Sequence, residues 1–388
     1  MSIERTARAS GIDLLRGIVM VVMALDHTRE YFHINAFFED PLDFTKTTPV
    51  LFLTRWITHF CAPTFVLLAG MSARLSGSRK PDSEHSTFLI TRGLWLILLE
   101  VTIVNFGLWF NLSYSQTLLQ VIWAIGFSMV VLGLMVRLPF PTTIPALAIF
   151  LIFGHNLLDN VSAPEGSVLA VLKTLLFQPG VLPVGEGKIV ISGYPALPWT
   201  GILLAGYSLG SLYFRSVSVI RRKRILLWTG VGAVAGFVLL RLLNSYGDPS
   251  PWSRQSTGIF TFLSFLNTTK YPPSLLFTLM TIGPALILLS VFEGKTSFLS
   301  VYGRVPLFYF IVHFYLIHLL SVVFMLISGI SWSDIHFTNG TGGVVQNQGV
   351  SLGWVYVVWI AIVASLYFPC KGYAGFKSRQ TSRLWSYL

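Results

Sequence analysis

Stretches of about twenty apolar residues, the length a helix needs to cross a bilayer's hydrocarbon core, recur from one end of this chain to the other. No other feature narrows the fold as far. Of 388 residues, 53% are hydrophobic and only 11% are charged, against roughly a quarter charged in soluble domains. A water-soluble chain of this length needs a polar surface that these residues do not supply. The sequence therefore predicts an all-α fold: a polytopic transmembrane helix bundle in a single domain over residues 1–388. The predicted spans are 12–32, 51–75, 88–110, 115–137, 141–158, 196–215, 225–244, 274–292, 304–328 and 351–369. That makes about ten crossings, each near the ~20 residues one requires. Three longer connections remain, 33–50, 159–195 and 245–273, and the apolar segment 167–178 is short enough to lie at the interface or re-enter.

The net charge of +11 does not point to nucleic acid, because the basic residues sit in short clusters between apolar spans. One set of connections holds Arg5 and Arg8; Arg74, Arg79 and Lys80; Arg137; Arg215, Arg221, Arg222, Lys223 and Arg224; Lys295; and Lys371, Lys377, Arg379 and Arg383. The alternate set is poorer in bases and carries Glu39, Asp40, Asp43, Asp159, Glu165, Glu186, Asp248 and Asp334. By the positive-inside rule both termini are expected in the cytoplasm. Cys61 and Cys370 fall near opposite faces in this topology, too far apart for a disulfide. No cysteine or histidine spacing suggests a metal site, so none is expected.

Charged residues inside spans are costly and need a partner or a purpose. The first span is unusually rich in them: Asp13, Arg16, Asp26, His27 and Arg29, with His33 just beyond. His27 follows Arg16 by eleven residues, three helical turns plus about 20°, so the two share a face about 16 Å apart. One stripe of this helix thus offers a cation at one mouth and an imidazole toward the other. Taken singly, Asp13–Arg16 is equally an interfacial i,i+3 pair, and Asp26-His27-Arg29 a polar helix end.

The second span begins near Arg55 and His59, i,i+4 neighbours close in depth to His27, and the third runs from Arg92 to Glu100, which must be paired or protonated. Gln120 and Trp123 share a face of the fourth, equally consistent with an interhelical hydrogen bond. The ninth carries Arg304 at its start, then His313 and His318. Lys270, ahead of the eighth, offers a cation to an anionic or polar substrate. Guanidinium groups suit phosphates, and a histidine suits a general base near neutral pH.

Asp13-Leu14-Leu15-Arg16-Gly17 followed by His27 resembles the first helix of bacterial membrane enzymes that O-acylate cell-surface sugars. Across nearly the whole chain, the closer likeness is to bacterial relatives of the catalytic domain of heparan-α-glucosaminide N-acetyltransferase. It rests on Ala24-Leu25-Asp26-His27-Thr28-Arg29-Glu30, Thr58-His59-Phe60-Cys61-Ala62-Pro63 through Gly70, and Leu119-Gln120-Val121-Ile122-Trp123-Ala124-Ile125-Gly126. It continues in Tyr194-Pro195-Ala196-Leu197-Pro198-Trp199, Lys270-Tyr271-Pro272-Pro273-Ser274 and Gly303-Arg304-Val305-Pro306-Leu307 leading to His313.

This resemblance implies transfer of an acyl group, acetyl above all, from cytoplasmic acyl-CoA to an acceptor on the outer side. It also implies a multi-pass protein of the bacterial inner membrane. The sugar-acylating relatives carry an essential histidine at the position of His27, and His313 matches a histidine shared by both groups. The lysosomal enzyme's reactive histidine, in its first outer loop, corresponds to the neighbourhood of Pro49 here. The departure favours direct transfer with His27 as base over an acetyl-histidine intermediate.

The leading expectation is thus an acyltransferase. Arg16, Arg92 and Arg304 would contact the donor's phosphates; His27, oriented or charged by Asp26, would deprotonate the acceptor; and His59 and His313 would shape the site. Arg55, Gln120, Trp123 and Lys270 are the expected substrate contacts. The acceptor would be a hydroxyl or amine of a sugar or lipid-linked molecule, with membrane lipids as the surroundings and a homo-oligomer left open. A proton-coupled permease for a small polar solute is the alternative, since intramembrane His, Asp and Glu serve that purpose too. The lack of an internal repeat counts against it.

Overall fold

The fold is drawn from a computed structural model that describes residues 2–78, 80–159, 162–164 and 166–380, with backbone alone for residues 2–9. Arg79, Glu165 and Arg383, and the side chains of Arg5 and Arg8, lie outside the described residues.

The first half of the helical bundle comprises α1 (Ser2–Phe32), α2 (Pro49–Thr58), α3 (Cys61–Gly77), α4 (Asp82–Leu99), α5 (Asn105–Trp109), α6 (Val121–Met135), α7 (Thr143–Gly154) and α8 (Val168–Leu176). The second comprises α9 (Ala196–Gly210), α10 (Val219–Leu243), α11 (Gly258–Leu266), α12 (Leu275–Phe292), α13 (Ser300–Arg304), α14 (Pro306–Ile327) and α15 (Leu352–Arg379). Some helix starts carry a side-chain cap. Thr48, Ser218 and Ser274 each accept a backbone N–H three residues on, satisfying a donor left open in the first turn.

Among the described residues, six helical stretches are long and apolar enough to cross a membrane: Pro49–Gly77, Asp82–Trp109, Val219–Leu243, Leu275–Phe292, Pro306–Ile327 and Leu352–Arg379. The chain is an integral, multi-pass helical membrane protein. Length and composition mark six crossings rather than about ten. The other four predicted spans also hold helices, but α1 carries Asp13, Arg16, Asp26, Arg29 and Glu30, while α6, α7 and α9 have only 15, 12 and 15 residues.

A small sheet corrects the all-α expectation. Strands β1 (Gln116–Leu119), β2 (Gly180–Gly185) and β3 (Lys188–Ser192) lie in the order β1-β3-β2, with β1 parallel and β2 antiparallel to β3. The turn between β2 and β3 uses Glu186 and Gly187, both with positive φ (51° and 73°), the backbone a tight hairpin requires. The predicted span 115–137 therefore opens as a strand, and its helix begins only at Val121. Apolar residues there serve a ladder, which hydropathy alone does not separate from a buried helix. The segment expected at the interface is α8, with Val168, Leu169, Val171 and Leu172 exposed.

Glycines set how closely the helices approach. Gly17 meets α13 at Gly303, Gly70 of α3 packs against α9 near Gly206, Gly93 of α4 meets Gly126 of α6, and Gly230 of α10 meets Gly283 of α12. A Cβ added at any of these eight positions would press into the facing helix. Small residues that allow backbones to touch are what helix association in lipid relies on.

Candidate functional site

Two histidines meet inside the bundle. His27, in the last two turns of α1, points its Nδ1 at Nε2 of His313 on α14, 2.7 Å away, with ring centroids 5.0 Å apart. Nδ1 of His313 lies 2.9 Å from the carbonyl of Tyr309, one turn back. A carbonyl only accepts, so this His313 nitrogen carries the proton, and in the neutral pair its Nε2 accepts from His27 Nδ1–H. Nε2 of His27 is left with its lone pair, and among the described residues nothing hydrogen-bonds to it. Phe314 packs against the His27 ring at 4.0 Å.

His27 lines a cavity of about 680 Å³. Asp26, Glu30, Arg55, Lys270 and Tyr271 share its wall, and Ile191, Ser192 and Gly193 close it from the β3 side. Among the described residues no hydrogen bond joins Asp26 to His27. Asp26 is held by Arg29 (3.3 Å), one turn on, and by Arg55 from α2. Adjacent residues on a helix point about 100° apart, so an aspartate and a histidine side by side in sequence face different neighbours.

Lys270 and Tyr271 belong to the connection between α11 and α12, which the buried Arg241 and the half-buried Asp248 secure. The Arg241 guanidinium donates to the carbonyls of Ser250 (2.9 Å), Ser264 (3.1 Å), Phe265 (3.0 Å) and Asn267. Asp248 accepts from the Thr269 backbone (2.9 Å) and the Ser274 hydroxyl (2.6 Å). The Tyr271 hydroxyl lies 3.4 Å from that of Tyr194. Burial alone would raise the Tyr271 phenol, but Lys270 and then Arg55 draw it below the usual value. Tyr194 moves the opposite way, raised first by burial and then by Tyr271.

A second, smaller cavity of about 220 Å³ lies toward the other end of α1. Arg16, Arg92, Arg304 and Lys377 line it, and no carboxylate among the described residues does. Arg16 is fixed by three acceptors: Asp13 (3.2 Å), the Gly303 carbonyl (3.0 Å) and the Ser72 hydroxyl (2.6 Å).

Of the residues singled out in the sequence, His27, Asp26, Arg55, Gln120 and Lys270 line the larger cavity, while Arg16, Arg92 and Arg304 line the smaller. His313 lies behind His27, fully buried. His59 and Trp123 line neither. His59 is buried against Phe277, borders an adjoining recess with Arg29 and Lys270, and among the described residues has no hydrogen-bond partner at either ring nitrogen. Trp123 packs on Phe127, and its backbone N–H, like that of Gln120, donates to the Glu100 carboxylate at 3.1 Å. Glu100 thus caps the N-terminus of α6, where a negative group is favoured. Among the charged lining residues, Glu30 of the larger cavity was missed, and so was Lys377 of the smaller. The sequence signal of Lys377, a base on the last helix, had been spent on topology.

The bundle and its cavities define a multi-pass membrane protein with a histidine pair and a cationic cavity stacked along one helix. The family model of the heparan-alpha-glucosaminide N-acetyltransferase catalytic domain matches residues 8–239, and the chain belongs to that membrane acetyltransferase family. Comparison with individual curated proteins gave no significant match. Lys270, Arg304, His313 and Lys377 lie beyond the matched stretch.

Proposed function

We propose that the protein is an acyltransferase that moves an acyl group, acetyl by family, from acyl-CoA to a hydroxyl or amine acceptor. The observation that carries this reading is the His27–His313 pair, with a free imidazole nitrogen in a cavity next to a carboxylate-free basic one. Arg16, Arg92, Arg304 and Lys377 would hold the donor's phosphates, for which guanidinium and ammonium groups are suited; Asp13, paired with Arg16 at 3.2 Å, stands outside the lining. His27 Nε2 would take the proton of the acceptor as its oxygen or nitrogen attacks the thioester carbonyl. Collapse of the tetrahedral adduct breaks the carbon–sulfur bond, and the departing CoA thiolate takes the proton back from His27. The products are the acylated acceptor and free CoA.

In this reading His313 keeps His27 in the tautomer that exposes Nε2, and Asp26, which also pairs with Arg29, holds Arg55 in the acceptor wall. The finer topology belongs to the same proposal. About ten helices would cross or enter the membrane, both termini would be cytoplasmic, and the basic cavity would face the cytoplasm of a bacterial inner membrane. The acceptor, a sugar or lipid-linked sugar, would then meet the acyl group on the outer side. Purified protein should bind CoA and transfer label from acetyl-CoA to an envelope saccharide fraction. No CoA binding under any condition tested would sink the reading. Solute uptake by proteoliposomes lacking any acyl donor would favour a permease.

A further inference from the structure

The histidine cavity and the arginine cavity are distinct and meet at a shared boundary. Among the described residues, Phe65 of α3 and Phe310 of α14 are the two that line both. Phe310 is 1% exposed, and its ring stands edge-on to His27 (centroids 6.5 Å apart), to His313 (5.7 Å) and to Phe314 (5.2 Å). Phe65 faces the same boundary from the opposite helix and is half-buried. Arg16 and His27, one in each cavity, are about 16 Å apart along α1 by helical rise. In the reading above, a donor anchored by its phosphates near Arg16 that reacts at His27 has to cross the boundary these two rings line.

We propose that Phe65 and Phe310 form an aromatic partition that selects the acyl donor by width rather than by length. The proposal rests on the acyl-CoA reading above. A thioester arm enters tip first. A straight acyl chain is no wider than the arm that follows it, so chain length adds nothing to what the rings must yield. Beyond them the histidine cavity, about three times the volume of the other, has room for a tail of several carbons. Branching beside the carbonyl, or an aryl ring, widens the part that has to pass. Phe310 yields by rotating about Cα–Cβ, and an α-helical backbone leaves it only two comfortable wells. That limits how far the passage widens. The preferred donors are thus unbranched acyl thioesters, with acetyl and butyryl accepted alike and isobutyryl and benzoyl refused.

The test compares transfer from acetyl-, butyryl-, isobutyryl- and benzoyl-CoA by the full-length protein, with CoA binding measured calorimetrically for every variant. In the wild type, acetyl and butyryl should transfer at similar rates, and isobutyryl should fall below butyryl by about tenfold to a hundredfold, the range one misplaced methyl gives in a tight apolar passage. Phe310→Ala and Phe65→Ala should each shrink the butyryl-to-isobutyryl ratio by about tenfold. Phe310→Trp, which narrows the passage without leaving a void, should slow butyryl transfer while CoA still binds. An unchanged ratio in both alanine variants, with CoA binding retained, overturns the partition alone. So does undiminished butyryl transfer in Phe310→Trp. Absence of CoA binding by the wild type overturns the acyl-CoA reading, and this inference with it.

Discussion

The histidine cavity and the arginine cavity lie on either side of the same two phenylalanines, yet they hold charge in opposite ways. Around the first, acid and base are matched: Asp26 and Glu30 stand beside Arg55 and Lys270, and Asp26 is clasped by two guanidiniums. Around the second, four cationic side chains gather, with no carboxylate among the described residues of the lining. A cavity whose charges cancel suits a neutral acceptor and a proton that is handed over and returned. One that leaves positive charge in excess suits a polyanion. The difference separates a place for chemistry from a place for holding, and each can be perturbed without the other.

The largest expected effect is on the chemical side. His27→Ala should lower kcat for acyl transfer by about a hundredfold to ten-thousandfold, the usual loss for a general base, while CoA affinity measured by calorimetry stays near wild type. His313→Phe keeps the aromatic packing but removes the acceptor that fixes the His27 tautomer. Transfer should fall by about tenfold, the scale of one net hydrogen bond, and equal losses in the two variants would refute the division of roles between them. On the holding side, Arg304→Gln should raise KM for acyl-CoA by up to about fivefold with kcat little changed, since an exposed ionic contact contributes at most about 1 kcal/mol. The gap should close as salt is raised.

The smallest effect is spectroscopic. A phenol drawn below its usual value ionises at lower pH than its neighbours. The tyrosinate absorbance of the wild type should therefore begin to rise before the bulk of the tyrosines titrate, which for free phenols is near pH ~10. Tyr271→Phe should delete that early portion and leave the late one, which includes Tyr194. Identical titration curves would mean that Lys270 and Arg55 do not act on Tyr271 as described.

Much of the bundle was legible because a membrane helix writes its length and apolarity directly into sequence. Each predicted span holds a helix, and the stripe from Arg16 to His27 could be drawn from spacing alone. The misplaced features have physical causes. Gln116–Leu119 is as apolar as a helix end, and only its pairing with Lys188–Ser192, about seventy residues on, makes it a strand. His27 and His313 are 286 residues apart, so nothing local announces their bond. Asp26 looked like the partner of His27 because it precedes it, but helical geometry turns it toward Arg29 and Arg55. Glu100 invited a search for a cation, whereas backbone N–H groups of the next helix satisfy it.

The contact of Gly17 with α13 has a consequence for the arginine cavity. With no side chain between them, α1 and α13 lie backbone to backbone, and the Gly303 carbonyl accepts from Arg16 while the next residue is Arg304. The methyl-free seam thus sets two like charges at one cavity wall, with the Asp13 carboxylate on Arg16 offsetting part of them. The seam works like a clamp that keeps both guanidiniums at one wall. A polyphosphate at that end would act as mortar between the helices as well as cargo.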